Sequence, residues 1–303
     1  MIKLDGAAKA RKVRQEIQNE VKVLREKYGE TPGLAVVIVG QDSASQIYVR
    51  TKEKVSRRLN FNSRVLRMDP GVEQRKLLDS IRDLNGDREV DGILVQTPLP
   101  DRLNTWEVLD TIDPGKDVDG FHPCNLGLNL LGRAEIHPCT PAGIIRLLDE
   151  YGISVEGLNV VIVGRSFIVG KPLAAMLTNR HGTVTICHSR TRDLPVLLKR
   201  ADMIVSAVGK PGMITEEMVR EGAILVDVGI NYLTEEDQVQ RYCSPSQLNK
   251  FREKGYGIAG DISPSALHKS SYYTPVPGGI GKMTVAMLMD NTLTLFKKNR
   301  LGI

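Results

Sequence analysis

The sequence predicts an α/β protein of two domains, each built on a parallel sheet, with the crevice between them as the first place to seek a site. Three observations carry this expectation. The chain has 303 residues, more than the roughly 100 to 200 that one hydrophobic core commonly serves. Short, nearly continuous apolar runs alternate with charged stretches of helical period, the pattern of strands buried on both faces of a parallel sheet. One such run, Asn159 to Val163, passes through a glycine-bearing turn into a helix.

Taken in order, Asp5 to Tyr28 places Val13, Ile17, Val21 and Leu24 at helical intervals, an apolar stripe ended by Gly29. This helix is expected to precede the first strand. Leu34 to Val39 is an apolar run bounded by Pro32-Gly33 and Gly40, and similar runs recur at Ser63 to Met68 and Gly92 to Gln96. From Asp101 to Pro141 the periodicity fades into Pro, Gly, Asn and Asp, which reads as a domain connection. Thr140 then caps a new helix with Pro141 in its first position, and Gly152 stands at its end. Further strands are expected at Asn159 to Val163, Thr183 to Cys187, Met203 to Ser206 and Ala223 to Asp227. A final helix follows Gly281 and is expected to return to the first domain.

Composition excludes several classes. Apolar residues are 41% and charged residues 25%, ordinary for a globular chain, and no run approaches the roughly 18 apolar residues of a membrane span. The N-terminus lacks the pattern of a secretory signal, so a cytoplasmic location is expected. Net charge is +5, and Lys9, Arg11, Lys12 and Arg14 are followed by Glu16, Glu20 and Glu26. That is a solvated helix face, not a nucleic-acid stripe. Cys124, Cys139, Cys187 and Cys243 form no CxxC pair, so reduced thiols are expected. His122-Pro-Cys124 and His137-Pro-Cys139 together offer two imidazoles and two thiolates. Their spacing is not a standard zinc pattern, and no metal is expected.

The turn after Val163 reads Gly164-Arg165-Ser166-Phe167-Ile168-Val169-Gly170. It is a loosened Rossmann turn, with Ser166 where the second glycine of GxGxxG would stand, so strand, turn and helix are in place for a pyrophosphate. The next strand is followed by His188-Ser189-Arg190-Thr191-Arg192, with no carboxylate until Asp193. An acidic residue there would bind a ribose 2′-hydroxyl, whereas Arg165 and Ser189 suit a 2′-phosphate, which favours NADP over NAD. The alternative is that these arginines simply face water.

Downstream of Gly40, helical spacing puts Ser45, Tyr48 and Lys52 on one face. Tyr and Lys four apart can form a coupled acid-base pair, or be a packed tyrosine and a solvated lysine. The same YxxxK spacing occurs in short-chain dehydrogenases, but there it follows the nucleotide turn on one domain. Here it precedes the turn by more than a hundred residues.

The order of motifs resembles that of the bifunctional methylenetetrahydrofolate dehydrogenase/cyclohydrolases over essentially the whole chain. SxxYVxxK is matched by Ser45 to Lys52, VQxPLP by Val95 to Pro100, and KDVDGFHPxNxG by Lys116 to Gly127. PCTPxG is matched by Pro138 to Gly143, GRSxIVGxP by Gly164 to Pro172, CHSxT by Cys187 to Thr191, and TPVPGGxGxMT by Thr274 to Thr284. The resemblance implies an N-terminal α/β domain and a C-terminal Rossmann-like NADP-binding domain with the active-site cleft between them. Residues 1–120 with a returning helix at 280–303 would bind folate, and residues 121–279 would bind NADP. It implies NADP-dependent oxidation of 5,10-methylenetetrahydrofolate to the methenyl compound and hydrolysis of that compound to 10-formyltetrahydrofolate, in a homodimer.

The site roles follow from the resemblance. Lys52 is the central acid-base residue, and because the methenyl product is a cation the lysine is expected to act neutral, moving protons as water attacks. Gln96 holds Lys52 by its amide oxygen, Tyr48 offers a ring face and hydroxyl to the folate, and Ser45 supports the same network. Asp119 anchors the pterin through two parallel hydrogen bonds; the alternative is a turn-forming Asp before Gly120. Pro275, Pro277, Gly278 and Gly279 form a tight loop beside the folate. Gly164, Arg165, Ser166, Ile168, Val169, Ser189, Arg190 and Ile230 hold the nucleotide. Two departures stand out: Lys282 where the family usually has Pro, expected to loosen that loop and add a cation, and Thr97 where it often has Leu. They leave open the balance of the two activities, with a dehydrogenase alone as one alternative and a non-catalytic NADP-binding protein as another. The chain is too short to be expected to carry a formyltetrahydrofolate synthetase domain.

Overall fold

The computed structural model spans residues 1–303, all described apart from the side chains of Ser43 and Ala44. A two-residue strand, β1 (Ile2–Lys3), precedes α1 (Gly6–Tyr28). The expectation that a helix opens the chain is thus corrected: two residues are too few to show a period. Along α1 the stripe Val13, Ile17, Val21 and Leu24 is buried, and Gly29 ends it in the left-handed region at φ 75°. Then follow β2 (Gly33–Val39), α2 (Ser43–Arg58), β3 (Asn62–Met68), α3 (Gln74–Gly86) and β4 (Gly92–Val95). The stretch read as a connection contains α4 (Thr105–Thr111) and α5 (Pro123–Leu130). The Asn104 side chain caps α4 by accepting the Trp106 and Glu107 amides. Helices of seven and eight residues are too short to display a stripe.

Next come α6 (Cys139–Glu150), β5 (Asn159–Val163), α7 (Gly170–Thr178), β6 (Thr183–Cys187), α8 (Leu194–Lys199), β7 (Met203–Ser206) and β8 (Ala223–Asp227). The start of α6 at Cys139 corrects the expected cap: Thr140 and Pro141 lie inside the first turn, where proline is tolerated. The chain closes with β9 (Asn231–Leu233), α9 (Glu236–Tyr242), α10 (Pro245–Lys254), β10 (Gly257–Ala259), β11 (Ser270–Tyr273) and α11 (Ile280–Phe296).

Two compact units result. One comprises Met1–Ala10, Leu130–Gly132 and Thr140–Thr284, the other Arg11–Asn129, Arg133–Cys139 and Val285–Ile303. The second unit, here the small-sheet unit, holds a parallel sheet in the order β3-β2-β4. β2 is buried along its length, but β3 is an edge strand with Asn62, Arg64, Leu66 and Arg67 exposed, so the expected burial on both faces fails there. The last part of α11 packs into this unit: Thr292 and Val118 crowd Gly92, and Asn291 donates to the carbonyls of Val118 and His137.

The other, large-sheet unit carries six strands in the order β1-β11-β8-β7-β5-β6, all parallel. Its core is formed by Val161, Val163, Ile204, Leu225, Leu198 and Ile214 among others. β6 is the free edge, with Thr183, Thr185 and Ile186 exposed. All four cysteines are unpaired thiols: Cys124 is exposed, while Cys139, Cys187 and Cys243 are buried.

Candidate active site

In the small-sheet unit, α2 begins where the Asp42 carboxylate accepts the Ser45 amide at 2.8 Å, an N-cap that sets the helix register. Ser45 is buried one turn before Tyr48, and Tyr48 and Lys52 are half-buried. Lys52 donates from Nζ to Gln96 Oε1 at 3.0 Å. Gln96 follows the last residue of β4; its backbone amide bonds the Val37 carbonyl at 2.8 Å, and its Nε2 bonds the Thr97 carbonyl at 2.7 Å. The first bond anchors the residue to the sheet, and the second fixes which end of the side-chain amide faces the lysine. The acceptor is therefore presented by the sheet, not by a free side chain.

Asp119 reaches the same unit along a different route. A parallel bridge pairs Ile93 with Asp117, so the chain runs beside β4 toward the end that carries Gln96. Asp117 is 1% exposed, and its carboxylate accepts the amides of Gly120 and His122 and the Asn125 side chain. These bonds fold the tight turn that displays Asp119. Asp119 keeps part of its surface exposed, but its carboxyl group is enclosed. Desolvation raises it to about 6; Lys52 and the neighbouring Cys139 thiol oppose the rise, and Asp117 adds to it. Burial, with Asp119 beside it, pushes the Cys139 thiol well above its ordinary value, so the thiol remains a donor. Neither Cys139 nor Asn291, which supports the Val118 carbonyl, was visible as a site residue in sequence; both needed the return of α11.

The remaining folate candidates lie in the large-sheet unit. The peptide bonds before Pro98, in the other unit, and Pro277 are cis. Gly278 takes φ 110°, and its carbonyl receives the Ala7 amide at 2.8 Å. Pro275 and Gly279 close this turn, because a Cβ on Gly279 would press on the Pro275 carbonyl. Ile230 borders the same region: its Cδ1 lies beside Gly281. Lys282 is exposed and sits within the first turn of α11, its amide bonding the Gly279 carbonyl at 3.3 Å. The expected loose loop is thus helical at that residue.

At the glycine turn, Gly164 has φ 131°, and a side chain there would press into the Ala207 carbonyl. Ser166 caps the approach to α7, its Oγ accepting the Val169 amide at 3.1 Å. Arg165 and Ser166 are exposed, Ile168 is half-buried and Val169 is buried. Beyond β6 a compact turn, closed by Thr191 Oγ1 on the His188 amide at 2.8 Å, leaves Ser189 and Arg190 exposed. A close-approach cradle beside exposed hydroxyls and guanidinium groups is a donor set that fits a phosphorylated dinucleotide.

The HxC pairs serve other contacts. The His122 ring accepts the Cys124 amide, His137 bonds Asn129, and Cys139 bonds the Val118 carbonyl. Among the described residues no group of three or more His, Cys, Asp or Glu is placed to hold a metal.

Comparison with known proteins decides the family. Residues 4–119 match the catalytic-domain model of the tetrahydrofolate dehydrogenase/cyclohydrolases, and residues 138–300 match their NAD(P)-binding-domain model. The chain belongs to the tetrahydrofolate dehydrogenase/cyclohydrolase family. It is 43% identical to the bifunctional protein FolD of a Nitratiruptor species, over 98% of each chain. The crystal structure of FolD from Campylobacter jejuni matches with a TM-score of 0.89 at 41% identity, covering 99% of both chains. The Trypanosoma brucei dehydrogenase-cyclohydrolase, solved with NADP and an inhibitor, matches with a TM-score of 0.90 at 35% identity, over 99% of this chain and 98% of that one. The two-domain α/β architecture is that of this family.

Proposed function

We propose that this chain oxidises 5,10-methylenetetrahydrofolate with NADP and hydrolyses the methenyl product to 10-formyltetrahydrofolate, with Lys52 as the residue that moves protons. The observation that carries the assignment of Lys52 is its bond to Gln96 Oε1 at 3.0 Å, in the unit that also presents Asp119. NADP, when bound, supplies the hydride acceptor. Gly164 to Val169, Ser189, Arg190 and Ile230 are the residues assigned to hold it.

In the hydrolytic step water adds to the methenyl carbon. Lys52 takes a proton from that water as the C–O bond forms; the adduct's hydroxyl then loses its second proton to solvent as the carbonyl forms and the C–N bond breaks, and Lys52 returns the first proton to the departing folate nitrogen. Gln96 keeps the lysine oriented through both steps, since its carbonyl accepts one N–H and leaves the rest of the amine for the substrate. Asp119, when ionised, accepts paired hydrogen bonds from the pterin edge. Tyr48 and Ser45 are assigned to seating the folate, with Pro275, Pro277, Gly278 and Gly279 as the loop that borders it. The folate role belongs to residues 1–120 with the helix at 280–303, and the nucleotide role to residues 121–279.

A homodimer through the nucleotide-binding unit is part of the same reading, supported by the exposed edge of β6 with Thr183, Thr185 and Ile186, an open ladder that a second copy can cover. Among the described residues no helix is long and apolar enough to cross a membrane, and we assign the protein to the cytoplasm.

The test is a paired spectrophotometric assay on one preparation. NADP reduction with 5,10-methylenetetrahydrofolate, with NAD as control, is followed beside decay of the methenyl compound. Turnover in both, with NADP preferred, is the expected result. Reduction without accelerated decay would leave a dehydrogenase alone, and binding of NADP with neither reaction would leave a nucleotide-binding protein.

A further inference from the structure

The large-sheet unit buries two neighbouring carboxylates at the carboxyl ends of its strands. Asp227 closes β8 and is 4% exposed; Asp261 follows β10 and is 0% exposed. Asp261 accepts Ser206 Oγ at 3.2 Å, the Val208 amide at 2.8 Å and the Gly209 amide at 3.2 Å on one oxygen, with the Lys210 amide at 2.9 Å and Asn231 Nδ2 at 3.0 Å on the other. Asp227 accepts the amides of Gly229 at 2.9 Å, Asp261 at 3.0 Å and Ile262 at 2.8 Å. Glycines make the room, since a Cβ on Gly229 would overlap the Asp261 carboxylate and one on Gly260 would overlap that of Asp227. Burying two carboxyl groups side by side costs stability even when each is well bonded. What they hold should therefore matter to function.

What they hold is the rim of the sheet beside the glycine turn. β6 and β7 flank β5 on opposite sides, so the chain reverses direction there. In open α/β sheets ligands bind outside the strand ends at this switch point. The loop after β7 abuts the turn directly: the Ala207 amide bonds the Val163 carbonyl at 2.9 Å, and the Ala207 carbonyl fills the space a Gly164 side chain would need. The loop after β8 carries Ile230, which lies beside Gly281. Eight donors from these loops and their neighbours thus converge on two side chains.

We propose that Asp261 and Asp227 are positioning residues for the dinucleotide, holding Val208–Lys210 and Val228–Asn231 in the shape that seats its nicotinamide half. This rests on the NADP reading above. Neither residue is required to touch the nucleotide.

In Asp261→Asn one acceptor oxygen becomes a donor facing other donors, so at least two of the five partners lose their bond. Calorimetric titration of the folate-free protein with NADP should show Kd raised roughly tenfold, the scale of one lost hydrogen bond to a charged group. Amide exchange should quicken in the segments 207–212 and 228–231 while the strands β5 and β7 stay protected. In turnover, KM for NADP should rise with kcat at saturating NADP falling less than about threefold, the signature of lost uniform binding. Asn231→Ala removes one donor and keeps both carboxylates; it should raise Kd roughly threefold and remains testable if the first variant fails to fold. NADP binding unchanged in Asn231→Ala and in folded Asp261→Asn would overturn the proposal, as would exchange quickened evenly across the whole unit. Failure of the unsubstituted protein to bind NADP at all would instead defeat the NADP reading.

Discussion

Asp119 and Asp227 are both carboxylates that burial raises, to about 6 and about 7, yet they sit in opposite kinds of surroundings. Asp227 spends its oxygens on three backbone amides within its own unit. Asp119 has a thiol and the field of Lys52, and part of its surface stays open. The contrast separates two uses of a buried acid. One saturated with internal donors organises backbone, and its loss should register in stability and in the seat of the nucleotide, with folate binding spared. One with few internal donors keeps acceptor capacity for a ligand that enters beside it, and its loss should register in folate binding.

The sharpest way to break this comparison is at Lys52. Lys52→Met should slow methenyl hydrolysis by roughly a hundredfold or more, the range of general acid-base catalysis, while folate binding measured by fluorescence titration changes little. Hydrolysis at the original rate would remove the lysine from the mechanism. Asp119→Ala should raise the folate KM by roughly ten- to a hundredfold, from the loss of charge-assisted hydrogen bonds, with little change in melting temperature. Asp227→Ala should do the reverse. It strands three buried amides, at about 1 kcal/mol or more each, and should lower the melting temperature by roughly 5 to 10 °C with the folate KM unaltered.

Proton dependence sharpens the contrast further. Above about 6 the Asp119 carboxyl is ionised and accepts; as pH falls through that value it gains a proton and loses an acceptor. The folate KM should therefore climb as the medium is acidified below pH 6, and a flat profile from 5 to 8 would contradict the anchor role. The smallest effect is expected at Lys282→Pro. That exposed residue lies in the first turn of α11, where proline is tolerated at the loss of the one long bond from its amide to the Gly279 carbonyl at 3.3 Å. The ratio of dehydrogenase to cyclohydrolase rates should move by less than about threefold, as for surface changes in general.

Legibility followed burial and length. The bounds of β5, β6, β7 and β8 coincide with those read from sequence, because each ends where an apolar run meets polar or glycine residues. β1, β9 and β10 span two or three residues, too few for any period, and β11, four residues long like β7, is only partly buried where β7 is buried throughout; all four form only against partners distant in sequence. Lys52 and Gln96 were legible through motif resemblance, and their hydrogen bond is a tertiary fact that spacing alone does not contain. Asp227 and Asp261 read as ordinary residues, one closing a strand and one following a glycine. What distinguishes them is the set of amides from three other segments, invisible until the loops are folded.

The distribution of thiols gives the molecule its own unfolding gauge. Cys124 alone is exposed, Cys139 is buried in the small-sheet unit, and Cys187 and Cys243 are buried in the large-sheet unit. A maleimide pulse should tag the native protein once and quickly. Under rising denaturant, peptide mass mapping would then date the opening of each unit separately, because every later tag carries the address of the core that released it.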